Sequence, residues 1–161
     1  MNHYEPLNEV DIAYILRLVP GYVYWKNLDS IYMGCNQNAA ILAGAECPED
    51  VIGKTDYDMP WGNISDAVIK AIEDDQYVIN TGKPLVTEDI ISVEDKTVIF
   101  QTQKTPLFNK NGLIIGVLGI AIDITAQKEA TQLKLDKQKL EFENKEHAAR
   151  IEEQEKFRNI V

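Results

Sequence analysis

Apolar and aromatic positions in the first part of the chain come in short runs separated by turn formers, a pattern that is typical of strands. Residues 22–26 and 31–35 are two such runs, and the turn formers between them predict a hairpin. Three further strands are predicted at 85–93, 97–107 and 113–124, with a turn at 109–112. Both alternating faces of the last run are apolar, so we expect that strand to lie at the centre of a sheet, buried on both sides.

Helical spacing occurs between and before these strands. A short amphipathic helix is predicted from Leu7 to Val19, ended by Pro20 and Gly21. A second short helix is predicted over 39–44, and the strongest one begins at Ser65 and ends before Gly82. Strands and helices in this order predict an α+β fold, in which a five-stranded antiparallel sheet carries short helices on one face.

The last 36 residues follow a different pattern. Residues 126–161 contain no Gly and no Pro, and strong helix formers dominate them, which predicts one long helix with Thr125 as its N-cap. Steps of three and four residues connect Leu133, Leu140 and Ile151 along one side of this helix. Because a helix of this length needs a partner to remain folded, we expect a parallel dimeric coiled coil formed by that side.

The coiled coil has alternatives. The predicted side is weak, because several of its positions are polar, and a second row through Leu135, Phe142 and Ala149 competes with it. The helix could instead pack on its own globular part. His147 lies among charged residues and is expected to be a surface or interface residue rather than a phosphoacceptor.

Charge and composition exclude several classes of protein. The chain has 161 residues, which fits one domain with an extension, and a net charge of −10. Residues 126–161 are neutral overall, so residues 1–125 carry the entire excess of acidic groups. This charge argues against binding to nucleic acid or to an anionic membrane surface. The longest dense apolar run has ten residues, too few for a membrane span, and the N-terminus does not resemble a signal peptide. With only two cysteines, a reduced cytoplasmic location is expected.

Three stretches resemble the PAS domain family over about positions 10–128. Residues 20–29 followed by Asn36 resemble the first hairpin of the family and its helix-opening Asn. Residues 38–44 and 52–54 resemble its short helices and the turn after them. Residues 111–125, which end in Asp123-Ile124-Thr125, resemble the last hairpin and the closing Asp-Ile-Thr signature. Two departures are Asn27, where many members have Asp, and the positions around Ala126 and Lys128, where Glu or Arg is frequent.

The resemblance implies a sensory input module. On this basis we expect a flank over 1–21, a PAS sensory domain over 22–125, and a signalling helix over 126–161 that leads to an output domain beyond this sequence. The resemblance favours a two-component histidine kinase as the output, with a diguanylate cyclase as the alternative. It also implies that Asp123 and Thr125 couple the last strand to the exit helix. No kinase or cyclase motif is present in these 161 residues, so we expect no catalysis from this segment.

Several cofactors are a poor match. Both histidines, His3 and His147, fall outside the expected sheet domain, so haem ligation is not expected. Cys35 and Cys47 lack the sequence context of photoactive flavin-binding members and cannot form a metal site alone. No set of residues suggests a hydrolase or a phosphate-binding loop. The identity of any ligand is left open.

The resemblance also implies a cavity between sheet and helices. The wall of that cavity is expected to include Tyr24, Phe100, Thr102, Val117 and Ala121, with Thr102 as a polar group in an apolar wall. Alternation places Val98 and Lys104 on the same strand face as Phe100 and Thr102. The alternatives are an interior filled by side chains, and a protein-interaction domain that binds through the outer face of its sheet. Trp25 could stack on a ligand but is expected in the core or at an interface.

Overall fold

The computed structural model describes residues 12–93 and 96–160. The first described element is the helix α1 (Ile12–Leu18), and the beginning of the helix predicted from Leu7 lies outside the described residues. The hairpin follows as β1 (Tyr22–Lys26) and β2 (Tyr32–Cys35), as predicted. It leads into α2 (Gln37–Leu42), two 3₁₀ turns (Pro48–Val51 and Asp56–Asp58) and α3 (Ser65–Thr81).

Asn36 connects the hairpin to α2. Its side-chain oxygen accepts hydrogen bonds from the backbone N–H groups of Ala39 (3.0 Å) and Val23 (3.1 Å), so it caps the helix and holds β1 at once. Its side-chain nitrogen donates to the carbonyl oxygen of Gly21 (2.9 Å). Asn36, which the resemblance identifies as the helix-opening Asn, therefore also holds the start of β1 in place.

The sheet has five antiparallel strands in the order β2-β1-β5-β4-β3, where β3 is Leu85–Val93, β4 is Lys96–Phe108 and β5 is Ile114–Asp123. The predicted fold class and the central position of β5 are confirmed. Tyr22 of β1 pairs with Ala121 of β5, which pairs with Thr102 of β4. In the next row of the same face, Tyr24 pairs with Gly119, which pairs with Lys104.

The two faces of β5 differ more than the sequence predicts. On the inner face, which lies under α3, Val117, Gly119 and Ala121 are buried. On the outer face Leu118 and Ile120 are only half-buried, and Ile122 is exposed. The prediction that β5 is buried on both sides is therefore wrong for the outer face, because the described helices cover the inner face.

The chain divides into two compact units, with the division between Asp123 and Ile124. The second unit is the helix α4 (Thr125–Arg158), which has no buried residue. Thr125 is its first helical residue, and Ile124 occupies the N-cap position without a side-chain cap, so the prediction of Thr125 as N-cap is wrong by one residue. The carbonyl of Ile124 already accepts from the N–H of Lys128, which starts the helix one residue early. No helix within 12–93 and 96–160 combines the length and apolar character needed to cross a bilayer.

Candidate ligand-binding site

A cavity of about 180 Å³ lies between the inner face of the sheet and the helices of the first unit. Five aromatic residues form a large part of its wall: Tyr22, Tyr24, Tyr32, Trp61 and Phe100. Small and aliphatic residues complete the apolar part: Cys35, Ala39, Leu42, Ala43, Val51, Met59, Ala67, Ala71, Ile90, Ile91 and Ala121. The polar part consists of Asp56, Lys70, Asp74, Glu88, Asp89, Thr102 and Lys104. An apolar enclosure with a few polar groups is the usual composition of a small-molecule site.

Two aromatic pairs shape this wall. The rings of Tyr22 and Phe100 meet edge to face with centroids 5.4 Å apart, and those of Tyr24 and Tyr32 lie 5.6 Å apart. Gly119 of β5 makes room for Tyr24, since a Cβ at this position would come within 2.1 Å of the tyrosine ring. The absence of a side chain at 119 thus lets the Tyr24 ring lie across the central strand.

Four charged residues form a buried network next to the cavity. Lys26, Asp56, Asp75 and Lys104 are each at most 3 % exposed. The ammonium of Lys26 lies 2.5 Å from the carboxylate of Asp56 and 3.0 Å from that of Asp75. The ammonium of Lys104 lies 2.6 Å from the other oxygen of Asp75. Asp75, which lies on α3, therefore bridges Lys26 of β1 and Lys104 of β4.

Neutral groups complete the hydrogen bonds of Asp56 and Lys104. The Tyr32 hydroxyl donates to Asp56 at 2.9 Å, and the indole N–H of Trp61 lies 3.4 Å from the same oxygen. Lys104 also donates to the carbonyl oxygen of Ala71 at 2.7 Å. The Lys26 ammonium lies 4.6 Å from the centre of the Tyr32 ring, a cation–π distance. A buried charge is tolerated only when it is paired and hydrogen-bonded, and this network meets that condition.

Burial next to these carboxylates disfavours ionisation of two tyrosines. Desolvation, followed by the negative charge of Asp75, raises the pKa of Tyr24 well above its ordinary value. Desolvation, followed by the charge of Asp56, does the same to the pKa of Tyr32. Burial likewise raises the pKa of the Cys35 thiol to about 11. The cavity wall therefore presents neutral hydroxyls and a neutral thiol at physiological pH.

The mouth of the cavity lies between α3 and β3. Three lining residues, Lys70, Glu88 and Ile90, are exposed, and all three belong to these two elements. The Lys70 ammonium bridges them, at 3.0 Å from Asp74 on α3 and 2.6 Å from Asp89 on β3. An ion pair therefore spans the entrance.

The structure brings four of the five residues predicted for the ligand site into one wall. Tyr24, Phe100, Thr102 and Ala121 line the cavity, whereas Val117 is buried on the same face but does not line it. Val117 pairs with Lys26 and Pro106, one row further along the sheet. A role of these residues in binding stays a prediction.

Other predicted residues lie away from the cavity. Trp25 does not line it, and its ring packs over Gly34, where a Cβ would come within 2.1 Å. Asp123 is the exposed last residue of β5, and Thr125 is half-buried at the start of α4. Their coupling role stays a prediction. Leu133, Leu140 and Ile151, predicted to form the dimer, are exposed on α4, as is His147.

The positions of the cysteines and histidines are relevant to the haem, flavin and metal sites considered from the sequence. Cys35 lines the cavity, whereas Cys47 does not, and neither forms a disulfide. His3 lies outside the described residues. Within 12–93 and 96–160, no three His, Cys, Asp or Glu side chains are grouped so that they could hold a metal ion.

The charged network could not be predicted as a unit, although the sequence pattern places two of its members, Lys26 and Asp75, at core positions. Lys26 alternates with Tyr22 and Tyr24 on the inner face of β1. Asp75 falls on the apolar face of α3, seven residues after Val68 and three before Val78. Charged residues at positions that the pattern assigns to a core indicate buried pairing.

Comparison with known proteins identifies the family to which the chain belongs. A sequence model described as the PAS fold matches residues 16–129. The chain therefore belongs to the PAS family, as the resemblance implied, and its first unit is a PAS domain of the sensory type.

The individual relatives share 30% or less of their aligned residues with this chain. ArcB, the aerobic respiration control sensor protein of Escherichia coli (strain K12), is 28% identical over 111 residues, which are 68% of this chain and 14% of ArcB. A solved structure of VqmA bound to DPO is similar with a TM-score of 0.62 and 30% identity, over 68% of this chain and 55% of that one. A Vibrio cholera VqmA–ligand–DNA complex has a TM-score of 0.65 and 30% identity, over 73% and 53%. The chain thus spans about one seventh of ArcB and about half of VqmA.

Proposed function

We propose that this chain is a ligand-sensing input module of a cytoplasmic signalling protein, in which the PAS domain binds a small molecule and α4 passes the signal to an output domain. The single observation that carries the proposal is the cavity of about 180 Å³ with its aromatic wall and its buried polar groups. An interior filled by side chains, the simpler alternative, would leave no such space.

The cavity has the size and the chemistry of a specific site. An apolar cavity of about 150 Å³ holds a molecule as large as benzene, so a small ring-containing ligand fits this volume. Asp56, from a 3₁₀ turn, and Thr102 and Lys104, both from β4, line it and supply the polar contacts that fix an orientation. A structure of VqmA, which is 30% identical to this chain over the matched part, contains DPO, and this supports ligand binding by the PAS domain described here.

For the output we propose a two-component sensor histidine kinase that works as a homodimer through α4. The similarity to ArcB, a sensor protein, supports this choice. So does the exposed apolar row of Leu133, Leu140 and Ile151, which a second copy of the helix would cover. A diguanylate cyclase is the alternative output.

A second candidate rests on the VqmA structures. One of them contains DNA, so a ligand-responsive DNA-binding protein is the other reading of the same input domain. In that case the output domain, rather than the acidic chain described here, would contact the DNA. The coding sequence that follows residue 161 decides between these outputs. A dimerisation helix with a phosphoacceptor His supports the kinase, whereas a helix-turn-helix domain overturns it in favour of the second candidate.

Ligand binding is tested by native mass spectrometry of the protein after exposure to an extract of its own cells and, separately, to DPO. We expect a small-molecule mass shift that Ala121→Leu abolishes, because the larger side chain projects into the cavity from β5. Ala130→Leu, an exposed position on α4, is the matched control and should retain the shift. If the wild-type protein gains no mass in either exposure, the domain is a ligand-free interaction module and the proposal fails.

A further inference from the structure

A part-exposed ion pair spans the mouth of the cavity. The ammonium of Lys70 on α3 lies 2.6 Å from the carboxylate of Asp89 on β3, and the Lys70 side chain is 45% exposed against 28% for Asp89. Both residues line the cavity. Asp89 pairs in register with the buried Phe100, so its side chain lies on the inner face of the sheet, towards α3. The Lys70–Asp89 pair therefore joins the two elements that border the mouth.

Buried ion pairs hold α3 to the central part of the sheet. Asp75 of α3 pairs with Lys26 of β1 and with Lys104 of β4, and the side chains involved are at most 3% exposed. Separating buried charges is costly, whereas a part-exposed pair contributes little to stability. In addition, β3 is an edge strand, which the sheet order places next to β4. The helix and the sheet therefore separate at lowest cost between α3 and β3.

From this contrast we propose that Lys70 and Asp89 form a latch: the ligand enters and leaves the cavity when this pair breaks and β3 moves away from α3. The inference rests on the proposed function, to which it adds the route of the ligand and the residues that control its rate of entry. Protein interiors are close-packed, so a ring-sized molecule needs such an opening to reach an enclosed space. Segments that open for a ligand are drawn from the least stable parts of a fold, and the mouth meets that condition.

The alternative route passes between Tyr22 and Leu42. These two residues line both the cavity and a groove on the surface, which Ile41 and Ile122 also line. The Tyr22 ring packs edge to face on Phe100, with centroids 5.4 Å apart. Opening this wall would expose apolar surface to water, which is unfavourable, whereas opening the mouth exposes charged groups that water solvates. The mouth is therefore the favoured route.

Cysteine labelling measures how often the cavity opens. Thr102 is buried, lines the cavity and pairs with Thr87 of β3, so Thr102→Cys places a thiol inside the cavity next to the latch strand. Cys35→Ala and Cys47→Ser remove the two native thiols, so that the reaction reports on position 102 alone. Iodoacetamide is small and uncharged, and peptide mass spectrometry at a fixed pH gives its rate of reaction. Ala71→Cys, on the α3 side of the cavity, is the second reporter if the first does not fold.

The latch variants should react faster. Lys70→Met and Asp89→Asn each break the bridge between α3 and β3, so we expect the rate at position 102 to rise about two- to fivefold, the change that loss of a part-exposed ion pair produces. Asp74→Asn is the matched control. It removes the other carboxylate that contacts the same lysine but leaves the bridge to β3, and the rate should change less than about 1.5-fold. About 0.5 M salt should raise the rate in the reporter background and leave it unchanged in Lys70→Met, because salt screens exposed charges.

Three results would overturn the latch. The first is equal rates in Asp74→Asn and Asp89→Asn. The second is a faster reaction in Tyr22→Ala while Lys70→Met and Asp89→Asn react at the rate of the reporter background, which would assign entry to the other wall. The third is a set of rates that follow the free energy of unfolding, measured for each variant in urea, since labelling would then report global unfolding. The labelling uses no ligand, so each of these results leaves the proposed function standing; the extract exposure described above tests that function separately.

Discussion

Asp75 joins three elements in the interior of the PAS domain. It is fully buried, and it accepts hydrogen bonds from Lys26 on β1 and Lys104 on β4. Because these two strands flank β5, a single carboxylate on α3 ties the helix to both sides of the central strand. Removing one partner from a buried ion network leaves uncompensated charge, which costs far more than losing an exposed ion pair.

We expect Asp75→Asn to lower the free energy of unfolding by about 3–5 kcal/mol, because two buried ammonium groups would lose their shared carboxylate. Asp74→Asn is the matched control on the same helix. Its carboxylate pairs with the part-exposed Lys70, so the loss should stay within about 1 kcal/mol. Urea unfolding monitored by circular dichroism measures both values. Equal losses in the two variants would show that the network contributes no more than a surface pair.

Tyr24, which is half-buried, and Tyr32, which is buried, predict loss of stability at alkaline pH. Tyr24 and Tyr32 have pKa values raised above the ordinary 10.0, chiefly by desolvation. Below pH 10 the folded and the unfolded chain both keep these phenolic protons. As the pH rises through 10, the unfolded chain releases them and the folded chain does not, so the free energy of unfolding falls. Absorbance at 295 nm should show that Tyr24 and Tyr32 titrate only on unfolding, so Tyr24→Phe should lower by one the number of tyrosines that titrate in this way. Complete titration of the folded protein near pH 10 would contradict the assignment.

The two thiols should react at very different rates. Cys35 is buried and its pKa is about 11, so only about one thiol in a thousand is ionised at pH 8. Cys47 also has a raised pKa, because its thiol donates to Asp50, but it is more accessible. Iodoacetamide followed by peptide mass spectrometry should therefore label Cys47 first. Cys47→Ser should remove the fast phase and leave the slow one, and a faster reaction at Cys35 would overturn the placement of that thiol.

At the scale of elements, the strands and the main helices could be predicted because their signals are local. Alternation and turn formers predicted the bounds of all five strands to within two residues. The end of α3 was predicted from Gly82, which adopts the left-handed conformation that favours glycine. The exposure of the outer face of β5 could not be predicted from local signals. Apolar residues on both faces predict burial, but cover depends on what packs there, which no local pattern encodes.

The candidate site could also be predicted only in part, because only some of its contacts are local. Alternation along β4 correctly groups Phe100, Thr102 and Lys104 on one face, since neighbours on a strand are related by a fixed period. The pairing of Lys26 with Asp56 and Asp75 could not be predicted, because 30 and 49 residues separate these partners along the chain. Only the register of the sheet and the position of α3 bring them together.

The contact between β5 and β1 predicts a specific coupling between Gly119 and Tyr24. A Cβ at 119 would collide with the tyrosine ring, so Gly119→Ala should destabilise the domain by about 1–3 kcal/mol. In a Tyr24→Ala background the ring is absent, and the same substitution should cost much less. A double-mutant cycle from urea unfolding measures the difference. Additive effects would mean that the glycine is needed for another reason.

At the scale of the whole molecule, two units of different chemistry follow one another along the chain. The PAS unit carries the net negative charge and a cavity, whereas α4 is neutral overall, lacks Gly and Pro, and has exposed apolar residues. A helix of 34 residues spans about 51 Å at 1.5 Å per residue, more than a small domain requires for its own core. Most helical stability in proteins comes from packing of an apolar face, so pairing of the exposed apolar residues of α4 with a second copy stays our prediction.

Two rows of apolar residues on α4 compete as the side that forms the dimer, and substitutions in each row can distinguish them. Leu133 and Leu140 belong to the predicted side, whereas Leu135 and Phe142 belong to the other, and all four are exposed. If the predicted side forms the dimer, Leu133→Asn with Leu140→Asn should raise the dimer dissociation constant at least about tenfold, since two buried apolar contacts per helix become polar. Leu135→Asn with Phe142→Asn is the matched control and should leave it nearly unchanged. Analytical ultracentrifugation over a range of concentrations measures both. The reverse result would assign the dimer to the second row, and a wild-type protein that remains monomeric at all concentrations would exclude α4 as its organiser.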